Sequence, residues 1–457
     1  MITKLHHVWQ EMRSSFWFVP TLIVLDAVVL ATLLITVDAT VDLHVVERWP
    51  LLFGAGAAGA RGLLTAVASS MVTVAGVVFS ITLVALSLTS SQYTSRVLRN
   101  FMRDRINQIV LGMFVGIFAY CLVVLRVIRG GDEGAFVPSL AVLVGLILAF
   151  VGIGYLIFFI HYISKSIQAS SIIAMAAQET LATVDHLFPQ KLGEEAEEDA
   201  DGYLVKAFAE QAWSAVPARK TGYIESIDAD ALLDLARKYQ TIVRMERGVG
   251  EFIVEGTPLI SVTKGGGVDR TTTDELNGVY VIGRQRVVEQ DAAFGLRQIV
   301  DIAMKALSPG VNDTTTAVIC VDYLTAILVR LATRRITTSH WMDDQRELRV
   351  ISRGPSFESL LNEAFNQIRQ NAESNAAILS RMLGSLQTIA VLTSSPNRRW
   401  LIRQKVEEIA EAAERTIESP HDRVRFENRL ARVREALETG PVLSMHEKPI
   451  NGSSIKQ

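Results

Sequence analysis

Two cysteines are all that the 457 residues carry, Cys121 inside an apolar run and Cys320 beside Val318 and Ile319. Neither belongs to a C-x-x-C pair, which argues against a disulfide framework or a cysteine-based zinc site and leaves both as expected buried hydrophobes. The eight histidines are scattered, and no H-E-x-x-H, G-x-S-x-G or Walker sequence occurs. Metalloprotease, hydrolase and phosphate-loop chemistry therefore have no anchor in the chain, and no enzyme activity, cofactor or metal site is expected. A net charge of −3 is too small to draw the protein to nucleic acid. Charge is missing altogether between Arg61 and Arg96, where 34 consecutive residues include no Asp, Glu, Lys, Arg or His.

Hydrophobic residues nevertheless make up 49% of the chain and charged residues 20%, so the two classes must be segregated along it. Four apolar segments, roughly 16–37, 64–90, 107–125 and 136–160, are long enough to cross a hydrocarbon layer ~30 Å thick, which takes ~20 helical residues. The first runs too long for a signal-peptide core and has no small-residue cleavage site before Asp38. The expected fold class is a membrane domain of four transmembrane α-helices followed by a cytoplasmic α+β domain with a small β-barrel-like module and a long helical hairpin. The boundaries read as 1–161 for the membrane domain, 162–201 for a connecting helix and acidic loop, 202–288 for a small β-rich module, 289–355 for an α/β module, 356–440 for the hairpin, and 441–457 for a disordered tail.

Arg96, Arg99, Arg103 and Arg105 crowd the link between the second and third segments, whereas the first link holds Asp38, Asp42 and Glu47 against Arg48 and Arg61. By the positive-inside rule the arginine-rich link is cytoplasmic, which places both termini and everything after His161 in the cytoplasm of a multi-pass protein. The lipid bilayer is the expected first partner.

The second segment is patterned. At 100° per residue, Thr65, Ser69, Thr73, Gly76, Ser80, Ser87, Ser91 and Thr94 fall within an arc of about 80°. Small residues allow helices to approach closely in lipid, and hydroxyls can line a water-filled path; the two uses are compatible if several copies of the helix surround an axis, that is, in a homo-oligomer. Leu83 interrupts the stripe and is read as lying at its centre line, where a ring of leucines would form a dewetting constriction or, more plainly, a packing contact. Arg96, Arg99 and Arg103 would then surround a cytoplasmic mouth, favouring a small anion if ions pass, or would meet anionic lipid headgroups. Asp26 is the one charge inside the first segment. It reads as a functional group facing the protein interior, or as a structural hydrogen-bond partner of a hydroxyl on the second helix.

Two stretches carry a family resemblance. FSITLVALSLTSSQYTSRVLRNFMRDRINQIVLGMFVGIFAYCLVVLR from Phe79 and RQRVVEQDAAFGLRQIVDIAMKALSPGVNDTTTA from Arg284, with GYIESID from Gly222 and SFESLLNEAF from Ser356, resemble a family of bacterial membrane proteins catalogued as a domain of unknown function. Ser95 and Thr314 stand where that pattern implies proline. The resemblance implies a location in a bacterial inner membrane and is silent on activity.

Beyond the fourth segment, the acidic run Glu194, Glu195, Glu197, Glu198, Asp199 and Asp201 reads as a solvated loop without the spacing of a calcium hand. GYIESIDADALLDLA reads as a strand turning into a helix, and GEFIVEGTPLISV as two short strands punctuated by Gly250, Gly256 and Pro258. The densest polar signature holds Arg286, Gln290, Asp291, Arg297 and Asp301 before Ser308-Pro309-Gly310-Val311-Asn312-Asp313. Asn312 or Asp313 suits a helix N-cap, and Arg286, Asp291, Asn312 and Asp313 together suit a turn that binds an anionic ligand. Phe357 to Val391 and Arg399 to Leu437 read as the two arms of the hairpin. Two functions fit these features: an oligomeric channel or channel-like transport protein with a cytoplasmic vestibule or regulator, and a membrane-anchored ligand sensor or scaffold without transport.

Overall fold

The computed structural model describes residues 17–40, 56–92, 105–130, 136–190, 212–263, 269–336, 340–345, 347–372 and 374–439, the side chains of 89–92 excepted. Arg96, Arg99 and Arg103, Thr94, the acidic run 194–201 and the tail 441–457 lie outside the described residues. The chain divides into two compact units, Met1–Ser171 and Ile172–Gln457.

The first unit is built from α1 (Phe18–Thr40), α2 (Ala57–Gln92), α3 (Arg105–Val127) and α4 (Ser139–Ser166). The central element is α3. It packs along α1 on one side and α2 on the other, while α4 touches all three, and α1 and α2 share no extended contact. Glycines set these approaches: a Cβ on Gly112 would lie 2.9 Å from Pro20 and Ile23, and one on Gly145 would lie 2.9 Å from Leu64. Such close backbone contact is what holds apolar helices together where lipid is as apolar as they are. At the start of α4, Pro138 offers no capping side chain, and the first-turn backbone N–H groups of Leu140 and Ala141 donate instead to Asp38 at 3.3 and 3.1 Å. Asp38 therefore caps α4 from another helix and answers its dipole. Nearby, Arg61 donates to the carbonyl of Ile128 at 2.7 Å, just past the end of α3, and the buried Tyr120 hydroxyl donates to the Ala141 carbonyl at 2.7 Å.

In the second unit, α5 (Ala169–Leu187), which begins at the divide, precedes β1 (Ser214–Pro217), β2 (Gly222–Ile227), α6 (Ala229–Lys238), β3 (Val243–Met245), β4 (Phe252–Ile253), β5 (Pro258–Val262), α7 (Arg270–Gly278) and β6 (Tyr280–Gly283). Then come α8 (Ala292–Ala306), α9 (Thr314–Ala332), β7 (His340–Met342), β8 (Leu348–Ile351), α10 (Phe357–Asn371), α11 (Ala376–Leu392), α12 (Pro396–Thr416) and α13 (Pro420–Thr439). GYIESID does turn from strand to helix, with Asp228 capping α6 through the Ala231 N–H. Gly250 and Gly256 both take a φ of +83°, the left-handed conformation that glycine adopts without strain.

Two expectations need correction. The strands close no barrel: they form one open sheet ordered β1-β5-β3-β8-β7, with β3 and β8 parallel, and a second ordered β4-β2-β6. Strands of two to six residues are too short to wrap with the stagger a barrel needs. The long hairpin is four helices, because Asn375 caps a fresh helix at α11 and Pro420 opens another at α13. Among the described residues, five helices are long and apolar enough to cross a membrane, α1 to α4 and α9. Helix α9 nevertheless carries charge, since Asp322 pairs with Arg381 at 2.6 Å and Arg330 with Asp185 at 2.7 Å.

Arg398 organises the end of α9. It is 1% exposed, its Nη1 lies within 3.1 Å of the carbonyls of Leu331, Ala332 and Arg334, and its guanidinium stacks 5.1 Å from the centre of the Phe357 ring. A cation donating to the last carbonyls of a helix satisfies acceptors that have no partner in the helix itself. Replacing Arg398 by Met strands those buried carbonyls and should cost about 3 kcal/mol. The measurement is denaturant unfolding of the detergent-solubilised chain; an Arg398→Met protein as stable as the parent would contradict this account of the latch.

Candidate functional site

The polar arc is a real surface of the first unit. Leu64, Ala68, Met71, Ala75 and Val78 are the buried face of α2, and at 100° per residue the arc's midline lies about 140° from the centre of that face. Thr65, Ser69, Thr73, Gly76, Ser80, Leu83 and Ser87 are accordingly all exposed, while Ser91 lies in the last turn of the helix. Gly62 and Ala58 extend the same arc toward the start of α2. A Cβ added at Gly62 or Gly76 would meet nothing within 4 Å, unlike the tightly packed glycines of α3 and α4. Packing inside the chain thus gives no reason for these glycines. The Thr73 hydroxyl donates back to the Ser69 carbonyl at 2.8 Å, whereas the hydroxyls of Ser69 and Ser80 make no hydrogen bond among the described residues.

The geometry corrects one placement. Leu83 falls about 40° from the arc's midline, at its edge beside Thr65 rather than at its centre. It is 49% exposed and is the one bulky side chain within the arc.

Asp26 also departs from expectation. It faces outward rather than into the bundle, and α3 stands between it and α2, so no hydroxyl of α2 reaches it within the chain. Around it on the same exposed face are Leu22, Leu25, Val29 and Leu30. Among the described residues it has no hydrogen-bond or ion-pair partner.

In the second unit, the four residues assigned to a ligand turn separate into two structural devices at opposite ends of α8, about 22 Å apart at 1.5 Å per residue over 15 residues. At the start of α8, Arg286 donates to both oxygens of Asp291, at 2.8 and 3.0 Å, and Asp291 also accepts from the Phe294 N–H at 2.9 Å as the N-cap. Burial pushes the Asp291 carboxyl above its ordinary range, against the pull of Arg286. Gly250 seals the pair: a Cβ there would lie 2.2 Å from Asp291 Oδ2. The neighbouring Gln290 accepts from the Ile227 N–H at 3.0 Å and ties β2 to the same corner, while Arg297 pairs with Glu363 at 2.6 Å.

After α8, the Val311 and Asn312 N–H groups both donate to the Ser308 carbonyl at 2.9 Å, and Asn312 takes a φ of +49°. The N-cap is Asp313, which accepts from the Thr316 N–H at 3.0 Å and the Thr316 hydroxyl at 2.6 Å. Those donors hold its carboxyl below the usual range. Thr314 is the first residue of α9, a position where proline is also at home, so its exchange leaves the turn unkinked. Arg286, Asp291 and Asp313 are thus engaged by the fold, while the side chain of Asn312 is exposed. The sequence also concealed Asp38 and Arg398, whose partners lie about a hundred and about 65 residues away in the chain. The absence of any capping residue of α4's own, at Pro138, was the only local signal for Asp38.

A membrane-protein class is what the apolar helices define, and sequence comparison supports it. The chain belongs to the family described as "Predicted membrane protein (DUF2254)", whose pattern matches residues 13–388. Its relatives include uncharacterized protein Rv1290c of Mycobacterium tuberculosis and uncharacterized protein Mb1321c of Mycobacterium bovis, each 32% identical over 450 residues, covering 96% of this chain and 84% of the relative. No solved structure matches the chain.

For the Asp313 cap, Asp313→Ala should lower stability by ~1 kcal/mol while Asp313→Asn, another good cap, stays near the parent. Hydrogen exchange of the first turn of α9 is the readout; equal protection in all three proteins would show that the cap carries no weight.

Proposed function

We propose that this protein is an oligomeric membrane channel or channel-like transport protein in which α2 lines the path. The observation that carries the reading is the exposure of the hydroxyl and glycine arc on the side of α2 opposite its packed face. A face turned to lipid favours large apolar groups, and glycines that pack against nothing in their own chain leave room for a second helix or for water. At 36 residues, α2 reaches about 54 Å, well beyond the ~30 Å hydrocarbon core, so it tilts or projects. On the positive-inside rule α1 to α4 are the spans, both termini are cytoplasmic, and the membrane is the bacterial inner membrane. In this reading α9 stays outside the bilayer because it is bound to its own unit through Asp322, Arg330 and Arg398. The second unit then serves as a cytoplasmic vestibule or regulator and has no catalytic role. Arg96, Arg99 and Arg103 would surround the cytoplasmic mouth and favour anions.

Leu83 is the bulky member of the arc, so it forms the narrowest apolar ring. In planar bilayers, Leu83→Ser should give larger or constitutive currents than the parent, with reversal potentials in asymmetric chloride salts showing anion preference. Silence from both proteins would overturn the channel and leave the membrane-anchored scaffold.

A further inference from the structure

Asp26 raises a separate question, because a carboxylate on a leucine-rich outer face is costly in lipid and in membrane proteins is normally covered by protein or water. Its level in the bundle can be read from the glycine contacts. Gly116 meets Ile23 and Ala27, which flank Asp26 on α1, and one residue along α3 Ile117 meets Gly152 together with Met71 of α2. Asp26 is therefore level with the turn of α2 that contains Ser70 and Thr73. Both are exposed, and Ser70 lies on the flank of α2 just outside the polar arc, one turn from Thr73. The two surfaces that match in depth and polarity cannot meet within one chain, since α3 separates them.

We infer that the subunits associate head to tail, with the Asp26 face of α1 in one copy seated on the Ser70–Thr73 flank of α2 in the next. The inference rests on the oligomeric reading above and names its contact. A second copy is the partner favoured by the arrangement. It supplies hydroxyls at the depth of the acid, whereas an α1 to α1 contact would set two carboxylates against each other. Because the two patches lie on opposite sides of α3, the contact is heterologous, and repeated copies close into a ring when the rotation allows. The flank carrying Ser70 is about 100° from the arc's midline. Within such a ring, the neighbour covers that flank while Ser69, Gly76, Ser80 and Ser87 remain directed at the axis. The Ser70 hydroxyl donates to its own Ala66 carbonyl at 2.8 Å, and the Thr73 hydroxyl is engaged in the same way. Their oxygen lone pairs stay available, and either hydroxyl can rotate toward an incoming carboxylate.

The cross-linking positions leave Asp26 and Ser70 in place and lie one turn outward on each helix. Val29, 57% exposed, continues the Asp26 face, and Ala66 continues the flank of Ser70. Two differently tagged full-length chains lacking Cys121 and Cys320, one carrying Val29→Cys and the other Ala66→Cys, are co-expressed and oxidised in membranes. The expected result is a disulfide-linked pair bearing both tags, with no link when either variant is expressed alone. Adding Asp26→Leu to both chains should reduce the linked band several-fold, and Asp26→Asn should preserve it. A Val29→Cys chain that links to itself, or a mixed link untouched by Asp26→Leu, would overturn the inference. So would absence of the mixed link in a protein that native mass spectrometry in nanodiscs shows to be oligomeric; the oligomeric reading would then survive alone. A strictly monomeric protein in that measurement would remove both.

Discussion

Because α3 occupies the middle of the apolar bundle, α1 and α2 are held apart, and each keeps an outer half that its own chain does not cover. The spacing is enforced by glycines: Gly112 and Gly116 bring α1 against α3, while Gly145 and Gly152 bring α4 against Leu64 and Met71 of α2. Apolar attraction cannot bind helices to one another in hydrocarbon, so these close approaches and the polar ties at Asp38, Arg61 and Tyr120 hold the four together. With one face of α2 committed to that packing, its hydroxyls and unpacked glycines are left facing away from the chain. The same arrangement leaves Asp26 outside. Both features ask for something that one copy does not provide.

The second unit resolves its polar residues differently. Buried charged groups there are held by specific partners: Asp291 locally by Arg286, Arg398 by the distant end of α9, and Lys405 by Asn366, 39 residues away, at 2.8 Å and by nearby Glu408 at 2.6 Å. Removing one partner from such a pair exposes the other to an apolar interior, which makes these pairs sensitive markers of a correctly assembled fold. It also means that a cluster of conspicuous polar residues can be wholly structural. In the segment from Arg286 to Asp313, the two aspartates Asp291 and Asp313 serve as N-caps of α8 and α9.

Features that depend on neighbouring residues were legible in the sequence. The apolar runs, the strand-to-helix change at Asp228, the turns at Gly250 and Gly256 and the N-cap at the ALSPGVND turn follow from local periodicity and local hydrogen bonding. The arc on α2 was legible for the same reason, although the position of Leu83 within it required the helix to be laid out residue by residue. What depended on distant partners was not. Parallel pairing of β3 with β8 brings together residues about a hundred positions apart, so a module read from local strands alone was mistaken for a barrel. Hydropathy alone gives α9 the profile of a span, while the partners of its charged residues, Asp185 and Arg381, come from distant helices. Asp26 was placed inside the bundle because its burial was assumed from cost, whereas its direction is fixed by which side of α1 meets α3.

The central claim is that the arc of α2 faces water or protein and not lipid. Spin labels placed singly at Ser69, Phe79, Ser80 and Ser87 in nanodisc-embedded protein would report it through relaxation by oxygen, which concentrates in lipid, and by a water-soluble nickel chelate. The account predicts high nickel and low oxygen accessibility at the three serines, with the reverse at Phe79, which is exposed outside the arc on the flank away from Ser70. High oxygen and low nickel accessibility at Ser69, Ser80 and Ser87 would place the arc in lipid and contradict it.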